Sequence, residues 1–514
     1  MTDTETAPSV SLVDTLVACL FFAAGFLFWE WKILQQDSAG IGASLYFIIL
    51  LAITFVYLQW RGIKQTATSF VFLIFSVLGA LPFVLNGSRD IHMLLLFFEC
   101  CICLLWVALS CRTTIAPYLS GFLIWDLINQ TLIIPFANYG RGFISIIESS
   151  RLSRKRGNRF AITLVYASLG ILIALPVLIL AFVLLINSDA AFFTLAKNLF
   201  KHIRLDSFGT YLLELVFGIP IGCYIFGAVY GNAAKRHTRV LEYKSLDKVF
   251  HEVHILPRPA LYAPLCCLVL IYLMYFFAMG PYLFSALSGR LPEAYTYAEY
   301  ARHGFFELCA VAFINLLILG FAYLFARRSP RQFPVVLRVL TGSVSLLSCL
   351  LVVTAMSKMA LYIDSYGLSS LRTYTFWFMV LLMVVFVMTC VWHLRPFNVG
   401  RPLIVVSMLL VLAFGLANTD GIIARYNVDR YLKGRSEVID IEMLTHLSDG
   451  ALPALYDLRD GACDYMVREQ ARCALSEHDR DDLIRARDHE TRHDWFRWNI
   501  QRLLVKKRAA QPEI

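Results

Sequence analysis

The apolar positions of this chain fall in long, unbroken runs, not in the alternating pattern of a half-buried strand. The runs are about 17 to 25 residues long, which is what a helix needs to cross roughly 30 Å of hydrocarbon at 1.5 Å per residue. The pattern predicts about eleven spans: Leu12 to Trp31, Ile41 to Trp60, Ala67 to Leu85, Ile91 to Cys111, Ala161 to Ile186, Tyr211 to Gly231, Ala260 to Leu283, Phe305 to Phe325, Val335 to Ser357, Thr373 to Trp392 and Leu403 to Ala417. Backbone groups must be paired internally in lipid, and no strand-length alternation is visible, so the expected fold is an all-α, polytopic transmembrane bundle.

Two segments break the pattern. Ile115 to Ala137 is apolar but carries Asp126, Asn129 and Gln130, with Pro117 and Pro135 near its ends, and it reads as a re-entrant or interfacial element. Ala190 to Leu205 sets Phe192, Ala196, Leu199 and Ile203 against Lys197, Lys201, His202 and Arg204, the mark of an amphipathic helix lying on the membrane. After Ala417 the chain turns polar. IDIEMLTHL and ALPALYDL flank an SDG turn, and WFRWNIQRLLVKK ends the chain as a basic amphipathic stretch. The expected organisation is a membrane domain over residues 1–417 and a small α-helical domain over residues 418–514.

Charge then orients the bundle. Alternate loops hold about 21 Lys and Arg on one side, from Arg61 and Lys64 through the RLSRKRGNR loop (Arg151 to Arg159) to Arg395 and Arg401, against about nine on the other. The first eleven residues carry acids and no Lys or Arg, unlike a cleavable signal, so the first span is expected to stay as an anchor. The amino terminus is therefore expected in the cytosol and, with an odd number of spans, the tail outside, in the periplasm or at the cell surface. A composition of 58% hydrophobic and 16% charged residues fits the bilayer as solvent, and the net charge of +9 lies in the membrane half, where topology explains it without a nucleic-acid partner.

Candidate chemistry is sparse. No P-loop, dinucleotide fingerprint or nucleophile elbow occurs, and no cofactor is implied. His489, Glu490, Thr491, Arg492 and His493 spell a metalloprotease string. Asp488, Arg492 and Asp494 crowd it with charge and little chain remains for a third ligand, so it reads as a solvated helix face without metal. All of the 13 cysteines except Cys463 and Cys473 sit in or at spans as packing residues. Those two can form a bridge on the oxidising side, provided the chain bends between them; two free thiols are the other reading.

Ionisable groups in the membrane half say more, because lipid penalises an unpaired charge. Glu99, Asp126, Asn129 and Glu214 form a candidate intramembrane path. On the outer side, Tyr297, Glu299, Tyr300, Arg302 and Glu307 can meet Lys358, Tyr362, Asp364, Tyr366 and Arg372 as an aromatic-walled polar site, or as an ion-pair cluster that locks two loops.

The stretches EYARHGFFEL, SKMALYIDSYGLSSLR, TDGIIARYNVDRYL and DIEMLTHLSDGALPAL resemble the markers of an uncharacterised bacterial membrane family, a domain of unknown function numbered forty-one seventy-three or its relative forty-one fifty-three. The resemblance runs from about Ala260 to the C terminus and is weaker before it. It implies a bacterial multi-pass membrane protein and carries over no reaction or ligand. The resulting expectation is an inner-membrane scaffold or sensor without enzymatic activity, working with the lipid bilayer and other envelope proteins. The alternative is a secondary transporter or lipid-handling channel that uses the intramembrane carboxylates.

Overall fold

In a computed structural model, residues 11–34, 40–88, 90–115, 123–154, 185, 188, 205–238, 258–287, 305–325, 334–395, 399–488 and 500–501 are described. Among them all regular structure is helical. Among the described residues eight helices are long and apolar enough to cross a membrane, or nine if one bent pair counts as a single span.

The first half of the chain folds as α1 (Leu12–Glu30), α2 (Ile41–Trp60), α3 (Ala67–Gly79), α4 (Pro82–Leu85) and α5 (His92–Cys111). Ser11 and Asp14 close a capping box that starts α1, and Thr66 and Ser69 do the same for α3, so polar side chains satisfy N–H groups that the helix cannot. The interrupted segment forms α6 (Leu123–Ile128), a π-helical turn (Asn129–Ile133) and α7 (Ile134–Ala137), followed by α8 (Arg141–Arg154). From α6 to α7 the rise is roughly 20 Å, too short to cross. Then comes α9 (Leu205–Ala233), antiparallel to α1 and in close contact with it. Buried Phe21, Tyr57, Phe226 and Tyr230 form the core between α1, α2 and α9.

A second core joins α10 (Arg258–Leu287), α11 (Phe305–Phe325), α12 (Val335–Tyr366) and α13 (Ser370–Leu394) through Leu265, Ala312, Leu351 and Phe386. Large apolar side chains on the outside of both halves, such as Phe277 at 90% exposure and Phe97 at 70%, are what a helix presents to lipid. Next, α14 (Gly400–Leu416) bends by 60° into α15 (Thr419–Leu432). The polar tail continues as α16 (Ile441–Thr445), a 3-10 turn (Asp449–Ala451), α17 (Leu452–Gly461) and α18 (Tyr465–Asp488), which share a core of Val428, Leu444, Leu455, Leu458 and Ala471.

Against the eleven expected spans, the described residues hold eight or nine: residues 161–186 lie outside them, the described apolar part of α11 runs from Glu307 to Ala322, and Leu403 to Ala417 belongs to the bent pair. Two expectations need correcting. The stretch beginning at Ser357 is not a loop. No Gly or Pro interrupts Ser357 to Tyr366, so α12 continues for 32 residues until Gly367, at φ +79°, ends it. A Cys463–Cys473 bridge is absent, both thiols being free and exposed. Helix α18 begins at Tyr465 and reaches Cys473 without a bend, a rise of about 12 Å where a disulfide tolerates about 7 Å between Cα atoms. The amphipathic stretch 190–204 and the string His489 to His493 lie outside the described residues.

Candidate functional site

The polar residues that converge most fully sit where the tail helices meet the bundle. At the bend between α14 and α15, Asn86 from the end of α4 donates its amide to the carbonyl oxygens of Gly415 (3.2 Å) and Ala417 (2.7 Å), the latter also accepting the Thr419 N–H at 2.9 Å. Asn418 Oδ1 accepts the Gly421 N–H at 3.1 Å and caps α15. A Cβ on Gly421 would lie 2.3 Å from Asn418 Nδ2 and 2.8 Å from the Gly450 carbonyl, so this junction admits only glycine.

Asp420, buried in the first turn of α15, bridges the two parts of the chain. Its Oδ1 accepts from Ser88 Oγ at 3.2 Å and its Oδ2 from the Ser448 N–H at 3.0 Å. Two helical turns further, Asn427 holds both backbone groups of Leu368, accepting its N–H at 2.9 Å and donating to its carbonyl at 2.7 Å. Arg430 Nη1 donates to the carbonyl of Ile363 at 2.7 Å. One face of α15 thus clamps the C-terminal end of α12, and Gln501 adds a further tie by donating to the Leu85 carbonyl at 3.0 Å. Replacing Asn427 with Ala should cost about 1–3 kcal/mol, because two partly buried backbone groups lose their partner. A lower unfolding midpoint in detergent would show the loss; an unchanged midpoint would mean the clamp is not holding α12.

The expected outer cluster is only partly brought together. Tyr297, Glu299, Tyr300 and Arg302 lie outside the described residues. Arg372 stacks on Tyr362 at 4.1 Å and donates to the carbonyls of Tyr366 and Gly367, so it caps the end of α12. Lys358 is buried, with Glu307 close enough for its charge to act on the ammonium, whereas Asp364 is exposed. A groove of about 430 Å³ opens beside this junction, lined by Asp90 and Ser370 from the bundle side and by Asp440, Glu442 and His446 from the tail. Tyr374 donates to Asp90 at 3.3 Å next to it.

The intramembrane candidates are separately housed. Glu99 is fully buried on α5, where its Oε1 accepts from Cys103 Sγ at 3.4 Å and its Oε2 has no partner; a Cβ on Gly79 would fall 2.1 Å from that oxygen. Asp126 Oδ1 accepts the Ile115 N–H at 2.7 Å, and Asn129 Nδ2 reaches the Thr238 carbonyl at 3.5 Å. Glu214 is buried on α9. Neither the groove at Asp90 and His446 nor the one between Ile441 and Glu477 is lined by any of these four. Among the described residues no group of His, Cys, Asp and Glu is placed to hold a metal ion.

Sequence reasoning passed over Asn86, Asp420, Asn427 and Arg430, although three of them lie in the TDGIIARYNVDRYL stretch. It also passed over GIPIG (Gly218 to Gly222), whose spacing of small residues signals close helix packing. The profile of a family described as Domain of unknown function (DUF4153) matches residues 72–458, so the likeness begins well before Ala260 and stops within α17. No curated protein and no solved structure matches the chain.

Proposed function

The chain belongs to the DUF4153 family, a description that names no activity, and from its geometry we propose a non-enzymatic scaffold or sensor in a bacterial inner membrane. In this reading the chain has eleven spans, its amino terminus lies in the cytosol, and residues 418–514 form a cap on the outer face that engages other envelope proteins. The observation that carries it is Asp420, which ties Ser88 of the bundle to Ser448 of the cap, so that anything moving the cap pulls on the ends of the membrane helices. The groove between Asp90 and His446 straddles the same junction and is where a partner would be read.

A transporter or lipid-handling channel is the second reading, and the partnerless Glu99 Oε2 is what favours it. Native thiols separate the two. In intact cells a membrane-impermeant maleimide should label exposed Cys463 and Cys473, while Cys103, hydrogen-bonded to Glu99, should stay unlabelled from either side. Unlabelled tail thiols that react only after lysis would reverse the orientation. Labelling of Cys103 by the aqueous reagent would show a water path to Glu99 and favour transport.

A further inference from the structure

The opposite end of the bundle holds a second polar assembly that the cap does not involve. Helix α5 ends at Arg112, in the left-handed conformation at φ +56°, and Thr113 beyond it donates to Asn232 Oδ1 on α9. Asn232 donates in turn to Gln130 Oε1 at 2.7 Å and to the Ala228 carbonyl at 2.8 Å. Asn138 Nδ2 donates to the carbonyls of Ile134 (2.9 Å) and Arg236 (3.3 Å), two residues from the Thr238 carbonyl that holds Asn129. The π-helical turn brings Asn129 and Gln130 into this set, a local irregularity common at functional positions.

Asp126, Asn129, Gln130 and Asn138 are each 0% exposed, and each keeps one atom unpaired: the acceptors Asp126 Oδ2, Asn129 Oδ1 and Asn138 Oδ1, and the donor Gln130 Nε2. Each orphaned buried group costs about 1–3 kcal/mol, and Asp126, Asn129 and Gln130 stand at i, i+3 and i+4 on one helix face, so these three together call for a ligand that supplies what is missing. A bare cation would satisfy the two neighbouring acceptors, Asp126 Oδ2 and Asn129 Oδ1, but would face the Gln130 amide N–H. It would also face the surrounding positive charge: exposed Arg112, Lys235 and His237, and half-buried Arg236. Lys235 lies close enough to Cys111 for its charge to act on that thiol, which places it beside the Arg112 turn. Hydroxyl groups both donate and accept, and a phosphate suits the basic rim.

We infer that this assembly binds a phosphorylated polyol, with its hydroxyls among Asp126, Asn129 and Gln130 and its phosphate at the basic rim. The source is a lipid headgroup such as phosphatidylglycerol, or a soluble polyol phosphate. The test is a melting titration of the full-length protein in detergent with phosphatidylglycerol, phosphatidic acid, phosphatidylcholine and glycerol 3-phosphate. Phosphatidylglycerol should stabilise saturably and bind about tenfold more tightly than phosphatidic acid, which lacks the hydroxyls, or phosphatidylcholine. Stabilisation by glycerol 3-phosphate at equal concentration would assign the site to a soluble ligand, and its failure beside a phosphatidylglycerol response would assign it to lipid. Asp126→Asn should abolish the preference for hydroxyls. Because that buried substitution can unsettle the fold, Arg112→Asn with Lys235→Asn is the companion variant: asparagine tolerates the left-handed backbone at both positions while removing the charge. It should bring phosphatidylglycerol down to the affinity of phosphatidylcholine. Equal responses to all four compounds, as water-filled or merely structural polar groups would give, or wild-type selectivity in the folded companion variant, would overturn the assignment.

Discussion

Asp14→Ala is expected to lower the unfolding free energy of the purified protein by about 3 kcal/mol, the lower end of what breaking a buried ion pair costs. Asp14 is fully buried in the first turn of α1, where one carboxylate oxygen accepts from Arg61 at 2.6 Å and from the Tyr57 hydroxyl at 2.8 Å. The other oxygen accepts the Ser11 N–H at 2.9 Å. Removing the carboxylate leaves the Tyr57 hydroxyl buried without its acceptor and strands the Arg61 guanidinium among the rings of Tyr57, Trp60 and Tyr230, about 5.5 to 5.7 Å from each. Arg61 is 16% exposed and reaches water in part, which keeps the loss from being larger. A double variant separates pair from packing. Asp14→Ala with Arg61→Leu should recover part of the loss, since no stranded charge remains. A double variant as unstable as the sum of the singles would mean the two side chains do not act as a pair.

The membrane spans were legible in the sequence because the signal is local: a run of apolar residues long enough to cross needs no knowledge of its partners. The end of α12 was misread for the same reason. Lys358 looked like the edge of a span, but it is buried against neighbouring helices within reach of Glu307, so its charge marks a contact and not a boundary. The clamp on α12 had no local signal at all. Asn427 grips the backbone of Leu368, 59 positions away, and Asp420 accepts from Ser88, 332 positions away. Where the partner is a peptide N–H or C=O, as at Leu368 and Ser448, no residue type advertises it. Asp126 and Asn129 were visible as polar letters in an apolar stretch. The bond from Asn232, at the end of α9, to Gln130 and that from Asn129 to the Thr238 carbonyl depend on the π-helical turn, which the sequence does not announce.

Placing a side chain between α1 and α9 should do still more damage. Helix α9 carries two pairs of glycines at four-residue spacing, Gly218 with Gly222 and Gly227 with Gly231, and each pair admits a different neighbour. A Cβ on Gly25 would lie 2.0 Å from the Gly218 carbonyl oxygen and 2.8 Å from the Gly222 nitrogen, and one on Gly218 would lie 2.6 Å from the Phe26 nitrogen. These are backbone atoms, so no rotamer change relieves the overlap and the helices must separate. Separation would uncover Phe21, Phe226 and Tyr230, and would pull α1 away from the Asp14 pair at its other end. Gly218→Leu is therefore expected to exceed the usual overpacking cost of about 1–3 kcal/mol and to leave little monodisperse protein on size-exclusion chromatography in detergent. Gly280→Leu and Gly320→Leu are the controls, because a Cβ at either position meets nothing within 4 Å and should be tolerated. The second pair gives a graded comparison. At Gly231 the nearest atoms belong to the Asn138 and Ile134 side chains, 2.6 Å from the added Cβ, and these can shift where a backbone cannot. Gly231→Ala should thus leave a folded but weakened protein, whereas Gly218→Leu should not fold; the reverse order would mean that α7, rather than α1, is the neighbour α9 cannot do without.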